Sequence, residues 1–117
     1  MKIVRLTRHE AGPEQISELR RIYGQEAEIA MVSETLPSDG KQAVARFDQL
    51  SEGADVVEAV LPINLLEAVL KFSAFSKKGG VVIRAITERK LDEAGQATFA
   101  FDHYEKIVKV EVITERL

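Results

Sequence analysis

The chain has 117 residues, of which 45% are hydrophobic and 30% charged, and its net charge at pH 7 is -3. This length predicts a single domain over residues 1–117, and the acidic balance argues against nonspecific binding to nucleic acid or to an anionic membrane. Because the chain contains no cysteine, disulfides, zinc thiolate sites and cysteine nucleophiles are excluded. The N-terminus has no signal-peptide core and no apolar stretch is long enough to span a bilayer, so we expect a cytoplasmic protein.

The first half of the chain alternates between strand-like and helix-like patterns. Lys2–Thr7 predicts a strand, and Pro13 occupies a position typical of the first residue of a helix, where its missing N–H costs nothing. Glu28–Val32 predicts the second strand. A second helix follows, and either Ser38 or Asp39 is suited to cap it.

The same alternation continues through the middle of the chain. Ala54–Leu61 predicts the third strand and Val81–Ile86 the fourth, and between them Asn64 with Glu67 resembles a helix capping box. Successive strand–helix–strand connections predict parallel strands with right-handed crossovers. The expected fold is therefore an α/β domain, a small Rossmann-like three-layer sandwich with a mostly parallel sheet.

No helical pattern follows the fourth strand. A turn at Asp92–Gly95 leads to a strand around Thr98–Phe101, then to a turn near Asp102–Glu105 and to an alternating strand over Ile107–Ile113. This order predicts a C-terminal antiparallel meander at the edge of a mixed sheet.

One tetrapeptide, Ile-Thr-Glu-Arg, occurs twice, at Ile86–Arg89 and at Ile113–Arg116. Coincidence between two strands of similar composition is the simpler interpretation of so short a repeat. In a meander the two copies would lie in strands of the same direction, toward one edge of the sheet.

Candidate functional residues come from the ends of the predicted strands. In open α/β sheets ligands bind beyond the carboxyl ends of the parallel strands, and arginine binds phosphate or carboxylate groups through two hydrogen bonds. The alternative is a solvated turn in which the arginines pair with neighbouring glutamates. The candidate ligand-binding residues are Arg8, His9, Asn64, Arg84 and Arg89.

His9 is the candidate for a catalytic residue, because histidine exchanges protons near neutral pH. The segment LTRHEA resembles the strand-end Arg-His-Gly motif of the histidine phosphatases. That resemblance implies His9 as the phosphoryl acceptor and Arg8 as the phosphate clamp, although Glu10 stands where the family has glycine. A histidine in a turn, without a catalytic partner, is the alternative.

Several other kinds of site have no matching motif. The glycine patterns of dinucleotide and phosphate loops are absent, as is the serine nucleophile elbow, and two histidines with scattered acids do not form a metal-binding pattern. We therefore expect no cofactor and no metal. The sequence predicts a homodimeric module that binds an anionic small molecule, a nucleotide or a partner protein at the carboxyl edge of its parallel strands. A phosphoester hydrolase using His9 and a purely structural subunit remain alternatives, so whether the protein is an enzyme stays open.

Overall fold

The computed structural model describes residues Met1–Leu117 and contains one five-stranded sheet with helices on both faces. In chain order the elements are β1 (Lys2–Leu6), α1 (Pro13–Tyr23), β2 (Glu28–Val32), α2 (Gly40–Leu50), β3 (Val56–Ala59), α3 (Ile63–Phe72), α4 (Ala74–Lys77), β4 (Val81–Leu91) and β5 (Ala97–Lys106). The strand order is β2-β1-β3-β4-β5; the first four strands run parallel and β5 is antiparallel to β4. The predicted α/β class with a mostly parallel sheet is confirmed. None of the helices is both long and apolar enough to cross a bilayer.

Two hydrophobic cores lie on opposite faces of the sheet. The larger core packs α2, α3 and α4 against one face, where the rings of Phe47 and Phe75 meet edge to face with centroids 5.6 Å apart. The smaller core packs Leu19 of α1 against Ile3 and its neighbours on the other face. Since successive residues of a strand point to opposite faces, Val4 belongs to the larger core.

The helix starts follow local capping chemistry. Asp39 caps α2, its Oδ2 accepting a hydrogen bond of 3.0 Å from the third residue of the helix. The predicted capping box at α3 is wrong, because Pro62 takes the extended N-cap position and no side chain caps that helix. Asn64 consequently falls inside the first turn, and Glu67 pairs with Lys71 at 3.0 Å.

β4 is longer than predicted and forms a hairpin with β5 that extends beyond the parallel sheet. Ile83 is the last residue of β4 that pairs with β3, whereas the pairing with β5 continues to Leu91. We call the outer part of this hairpin, Thr87–Phe101, the arm. The predicted turn near Asp102–Glu105 is wrong, since Asp102 is the extra residue of a bulge within β5.

The predicted last strand over Ile107–Ile113 is absent, so the meander consists of β4 and β5 alone. The N–H of Ile107 still donates to the Val82 carbonyl at 2.8 Å, but Ile107 and Val110 then pack against the larger core. The chain therefore leaves the sheet toward α3, and the second Ile-Thr-Glu-Arg segment lies outside any strand.

The contact between Gly80 and the Phe75 ring provides a test of this packing. A Cβ at Gly80 would lie 2.5 Å from two carbons of that ring, so we expect Gly80→Ala to lower the free energy of unfolding by about 1–3 kcal/mol. Gly40→Ala is the matched control, because Gly40 has no positive φ and a Cβ added there would meet only the Ala68 Cβ, at 4.0 Å. Urea denaturation measures both, and equal stability of the two variants would contradict the packing.

Candidate functional site

A buried ion pair lies in the middle of the sheet, on the α1 side. Arg5 of β1 and Glu58 of β3 are direct neighbours in the parallel register. The Arg5 guanidinium donates from Nε to Oε1 at 3.0 Å and from Nη2 to Oε2 at 3.2 Å, which makes the pair bidentate. Both residues are at most 3% exposed, so two opposite charges are held within the folded core.

Two further contacts extend this pair into a network. The Tyr104 hydroxyl of β5 donates to Glu58 Oε1 at 2.6 Å, and Arg5 Nη1 donates to the His9 carbonyl oxygen at 3.1 Å. No buried side-chain polar atom in the structure lacks a hydrogen-bond partner. We call Arg5, Glu58 and Tyr104 the buried network; it connects β1, β3, β5 and the loop that follows β1.

Two groups of the buried network, the Arg5 guanidinium and the Tyr104 hydroxyl, have raised pKa values. Burial alone would lower the pKa of Arg5, but the hydrogen bond and charge of Glu58 raise that pKa above its ordinary value. Burial raises the pKa of Tyr104, and the hydrogen bond to Glu58 raises it further. Arg5 therefore stays cationic and Tyr104 stays protonated at neutral pH, and the network supports the loop rather than transferring protons.

A cleft of about 410 Å³ lies at the carboxyl ends of β1, β2 and β3, and we call it the strand-end cleft. Its volume is within the range of small-molecule sites, and its edge of the sheet is where open α/β sheets bind ligands. Its apolar lining comes from Leu6, Leu36, Val60, Leu61, Pro62 and Leu65. Its polar lining comes from Thr7, Arg8, His9, Glu34, Thr35 and Ser38.

The strand-end cleft carries an unpaired positive charge. Arg8 forms no ion pair with Glu10 or any other acid, and its Nη2 donates to the Thr35 hydroxyl. The one carboxylate in the lining, Glu34, accepts two hydrogen bonds of 2.6 Å from Arg46, and these bonds lower the pKa of Glu34. Arg46 thus neutralises Glu34, and the Arg8 guanidinium remains available to an anion.

Both main-chain polar groups of His9, its N–H and its carbonyl, form hydrogen bonds. Its N–H donates to Thr7 Oγ1 at 3.2 Å, and its carbonyl accepts the bond from Arg5. The imidazole itself has no hydrogen-bond partner in the structure. The other histidine, His103, lies in β5, where its Nδ1 is 2.6 Å from Asp102 Oδ2. The two histidines therefore do not form a joint site.

The other three predicted residues do not line the strand-end cleft with Arg8 and His9. Arg84 pairs with Glu105 at 2.9 Å on the exposed surface of the hairpin, and Asn64 is exposed on α3 and does not line this cleft. Arg89 lies in the arm, six residues beyond Ile83, which is about 20 Å at the rise of a β-strand. Of the five predicted residues, the structure brings Arg8 and His9 together in this cleft, and Arg89 lies away from it because β4 continues outward where a strand end was expected.

A larger cleft, of about 640 Å³, lies at the opposite edge of the sheet, and two of its three acids, Asp48 and Asp55, are already engaged. Asp55 Oδ2 accepts the Lys2 N–H at 2.8 Å, and Asp48 Oδ1 accepts the Ala74 N–H at the start of α4 at 2.9 Å. No group of three or more His, Cys, Asp or Glu side chains is arranged to hold a metal ion. The strand-end cleft lies at the carboxyl ends of the parallel strands and contains the unpaired Arg8, and it is the better candidate site.

Arg5 and Glu58 were not among the site residues predicted from the sequence, although a signal for them was present. Glu58 is the one charged residue of β3, and Arg5 is the one charged residue of β1 after its first position, Lys2; the two have opposite charges. Parallel strands are buried on both faces, so a charge within such a run requires a buried partner.

Removing one member of the ion pair tests its importance. Glu58→Ala leaves the Arg5 charge buried without a partner, so we expect a loss of about 3–5 kcal/mol in the free energy of unfolding. Glu105→Ala breaks the exposed pair with Arg84 and should cost no more than about 1 kcal/mol. Chemical denaturation compares them, and similar losses in the two variants would rule out a dominant role for the buried pair.

Tyr104→Phe tests the hydrogen bond to Glu58 and should cost about 1–2 kcal/mol at neutral pH. The folded state raises the pKa of Tyr104 above its unfolded value of about 10, so the protonated phenol stabilises the folded state below that pH. Above about pH 10 the unfolded phenol ionises first, and this stability is lost as the pH rises. The difference between the wild type and Tyr104→Phe should then shrink in urea denaturation; a difference independent of pH would show that Tyr104 is not coupled to the carboxylate.

Comparison of the sequence with known protein families gives no match, and no curated protein is significantly similar to it. The functional proposal therefore depends on the geometry and charge of the strand-end cleft.

Proposed function

We propose that this protein binds a small anionic molecule in the strand-end cleft. The single observation that carries the proposal is the Arg8 guanidinium, which lies beside His9 at a cleft of about 410 Å³ and forms no ion pair. A cationic rim above a mostly apolar lining suits a phosphate or carboxylate group attached to an apolar or ring-shaped body. Nucleotides are one class of molecule with this character.

The polar groups of the cleft have complementary roles in such binding. The Arg8 guanidinium offers two parallel N–H donors to a phosphate or carboxylate, and the His9 imidazole offers a further donor. Because Arg46 holds the Glu34 carboxylate, that acid does not oppose an incoming anion. The buried network sets the position of the His9 main chain and so the place of its side chain at the rim.

Binding is favoured over catalysis by the surroundings of His9. A histidine nucleophile or general base is normally oriented by a second group, and no side chain hydrogen bonds to the His9 ring. Phosphoester hydrolysis by His9, recognition of an acidic residue on a partner protein, and a purely structural role are the alternatives that the experiment below separates.

We further propose that the protein works in the cytoplasm as a homodimer. The lack of cysteine suits a reducing compartment. The open edge of β5 and the exposed side chains of Leu91 and Phe99, which are 65% and 70% accessible, support an association between copies.

A thermal-shift screen with inorganic phosphate, nucleoside monophosphates, sugar phosphates and dicarboxylates tests the ligand proposal. We expect at least one of these anions to raise the melting temperature, because it binds the folded state alone. Arg8→Ala should weaken that binding by about tenfold or more, and Arg8→Lys should restore it in part, since lysine keeps the charge without the bidentate geometry.

Arg89→Ala is the matched control, because Arg89 lies in the arm, and it should bind as the wild type does. Turnover of a phosphoester that His9→Ala abolishes would support the hydrolase alternative. No response to any anion, or a response that Arg8→Ala leaves unchanged, would refute the proposal.

A further inference from the structure

The outer edge of β5 is open to another strand. β5 is the last strand of the sheet and pairs with β4 alone. Natural edge strands are usually protected by lysine, proline or inward-pointing charges, but Ala97–Phe101 is Ala-Thr-Phe-Ala-Phe and contains none of these. Phe99, within this segment, is 70% exposed. This edge can therefore accept a further strand.

The structure shows which side chains the inner edge of β5 accepts. Along the first Ile-Thr-Glu-Arg segment, Thr87 pairs with Phe101 and Arg89 with Phe99. Because side chains alternate along a strand, Thr87 and Arg89 lie on the face that carries these two aromatic rings, and Glu88 lies on the other face. The tetrapeptide is thus complementary to β5 as an antiparallel neighbour.

The C-terminal tail, residues 107–117, carries the same tetrapeptide without a strand neighbour. The side chains of Lys109 and Glu111 pair at 3.2 Å, which places residues two apart on one side, as in an extended chain. Beyond Val110 every residue is exposed, and Ile113 is 84% accessible. Val110 packs against the larger core, so the tail leads away from the β5 of its own chain.

We infer that the Ile113–Arg116 segment pairs with the outer edge of β5 in a second copy of this chain, as an antiparallel strand. In the register that β4 uses, Thr114 lies beside Phe101 and Arg116 beside Phe99 of that copy. The Arg116 guanidinium then covers the exposed Phe99 ring in a cation–π contact. Reciprocal exchange of the two tails gives a closed two-fold dimer.

The charges of the two segments permit this pairing. In the same register Glu115 lies opposite Ala100 and Ile113 opposite His103, so no like charges lie directly opposite one another. The inference rests on the proposed homodimer and is independent of the strand-end cleft. It also gives the repeated tetrapeptide a physical role. Each β5 would have the first tetrapeptide of its own chain on one side and the second tetrapeptide of the other chain on the other side.

Light scattering on the full chain tests the inference, because the expected mass is twice that of a monomer. Thr114→Pro removes a backbone N–H and the extended pairing, and it should weaken the dimer by about tenfold or more. The matched control, Thr114→Val, keeps a strand-forming residue and should remain dimeric. A monomeric wild type, or a dimer that Thr114→Pro leaves intact, would overturn the inference.

A cysteine pair identifies the contact directly, since the natural chain has no cysteine. Phe99→Cys combined with Arg116→Cys should form a disulfide between two chains, seen as a dimer on a non-reducing gel. Glu52→Cys combined with Arg116→Cys is the control, because Glu52 lies at the opposite edge of the sheet, and it should stay monomeric on the gel. A disulfide within one chain, or none, would show that the tail does not exchange.

These outcomes are separable from those of the ligand screen. Thr114→Pro should respond to the anion as the wild type does, because the tail does not line the strand-end cleft. A monomeric protein that still binds the anion would overturn the dimer alone, and a dimer without any anion response would overturn the cleft proposal alone.

Discussion

The pair of Arg5 and Glu58 is the interaction on which the arrangement of this domain depends. Burying two charges is costly, and the bidentate geometry, together with the bonds to Tyr104 and to the His9 carbonyl, offsets that cost. The pair also specifies register. A slip of one residue between β1 and β3 would turn a charge toward the apolar core on the other face, so only the observed alignment satisfies both residues.

The same network joins the two regions for which we propose functions. Arg5 holds the main chain of His9 at the strand-end cleft, while Tyr104 holds β5 against the parallel sheet. The two regions differ in their chemistry: the cleft has an unpaired guanidinium over an apolar lining, and the arm has an open edge with exposed aromatic side chains. A rigid centre between these two exposed regions suits the proposed module, which would bind a ligand and a second copy of itself.

Much of the fold was predictable because its signals are local. The alternation of strands with helices that begin at Pro13 and after Asp39 indicated the parallel sheet. The tail was not predictable in this way, since an alternating pattern over Ile107–Ile113 shows a preference for a strand but not whether a neighbouring strand is available. In the structure Ile107 and Val110 pack against the larger core and are not part of a strand.

The candidate site was predictable only in part, for a similar reason. Arg8 and His9 follow directly on β1, so their place at the sheet edge depends on that strand alone. The position of Arg89 depends on the length of β4, and the pairing of Arg5 with Glu58 depends on register between segments far apart in the chain. Neither property is visible in a local pattern of residues.

The most direct measurement of the central claim is an NMR titration of the protein, labelled with ¹⁵N, with inorganic phosphate and with a nucleoside monophosphate. Binding in the strand-end cleft should change amide shifts most at residues 7–9, 34–36, 60 and 61, which surround that cleft. Changes confined to the cleft at the opposite edge, around Asp55 and Gly79, would contradict it.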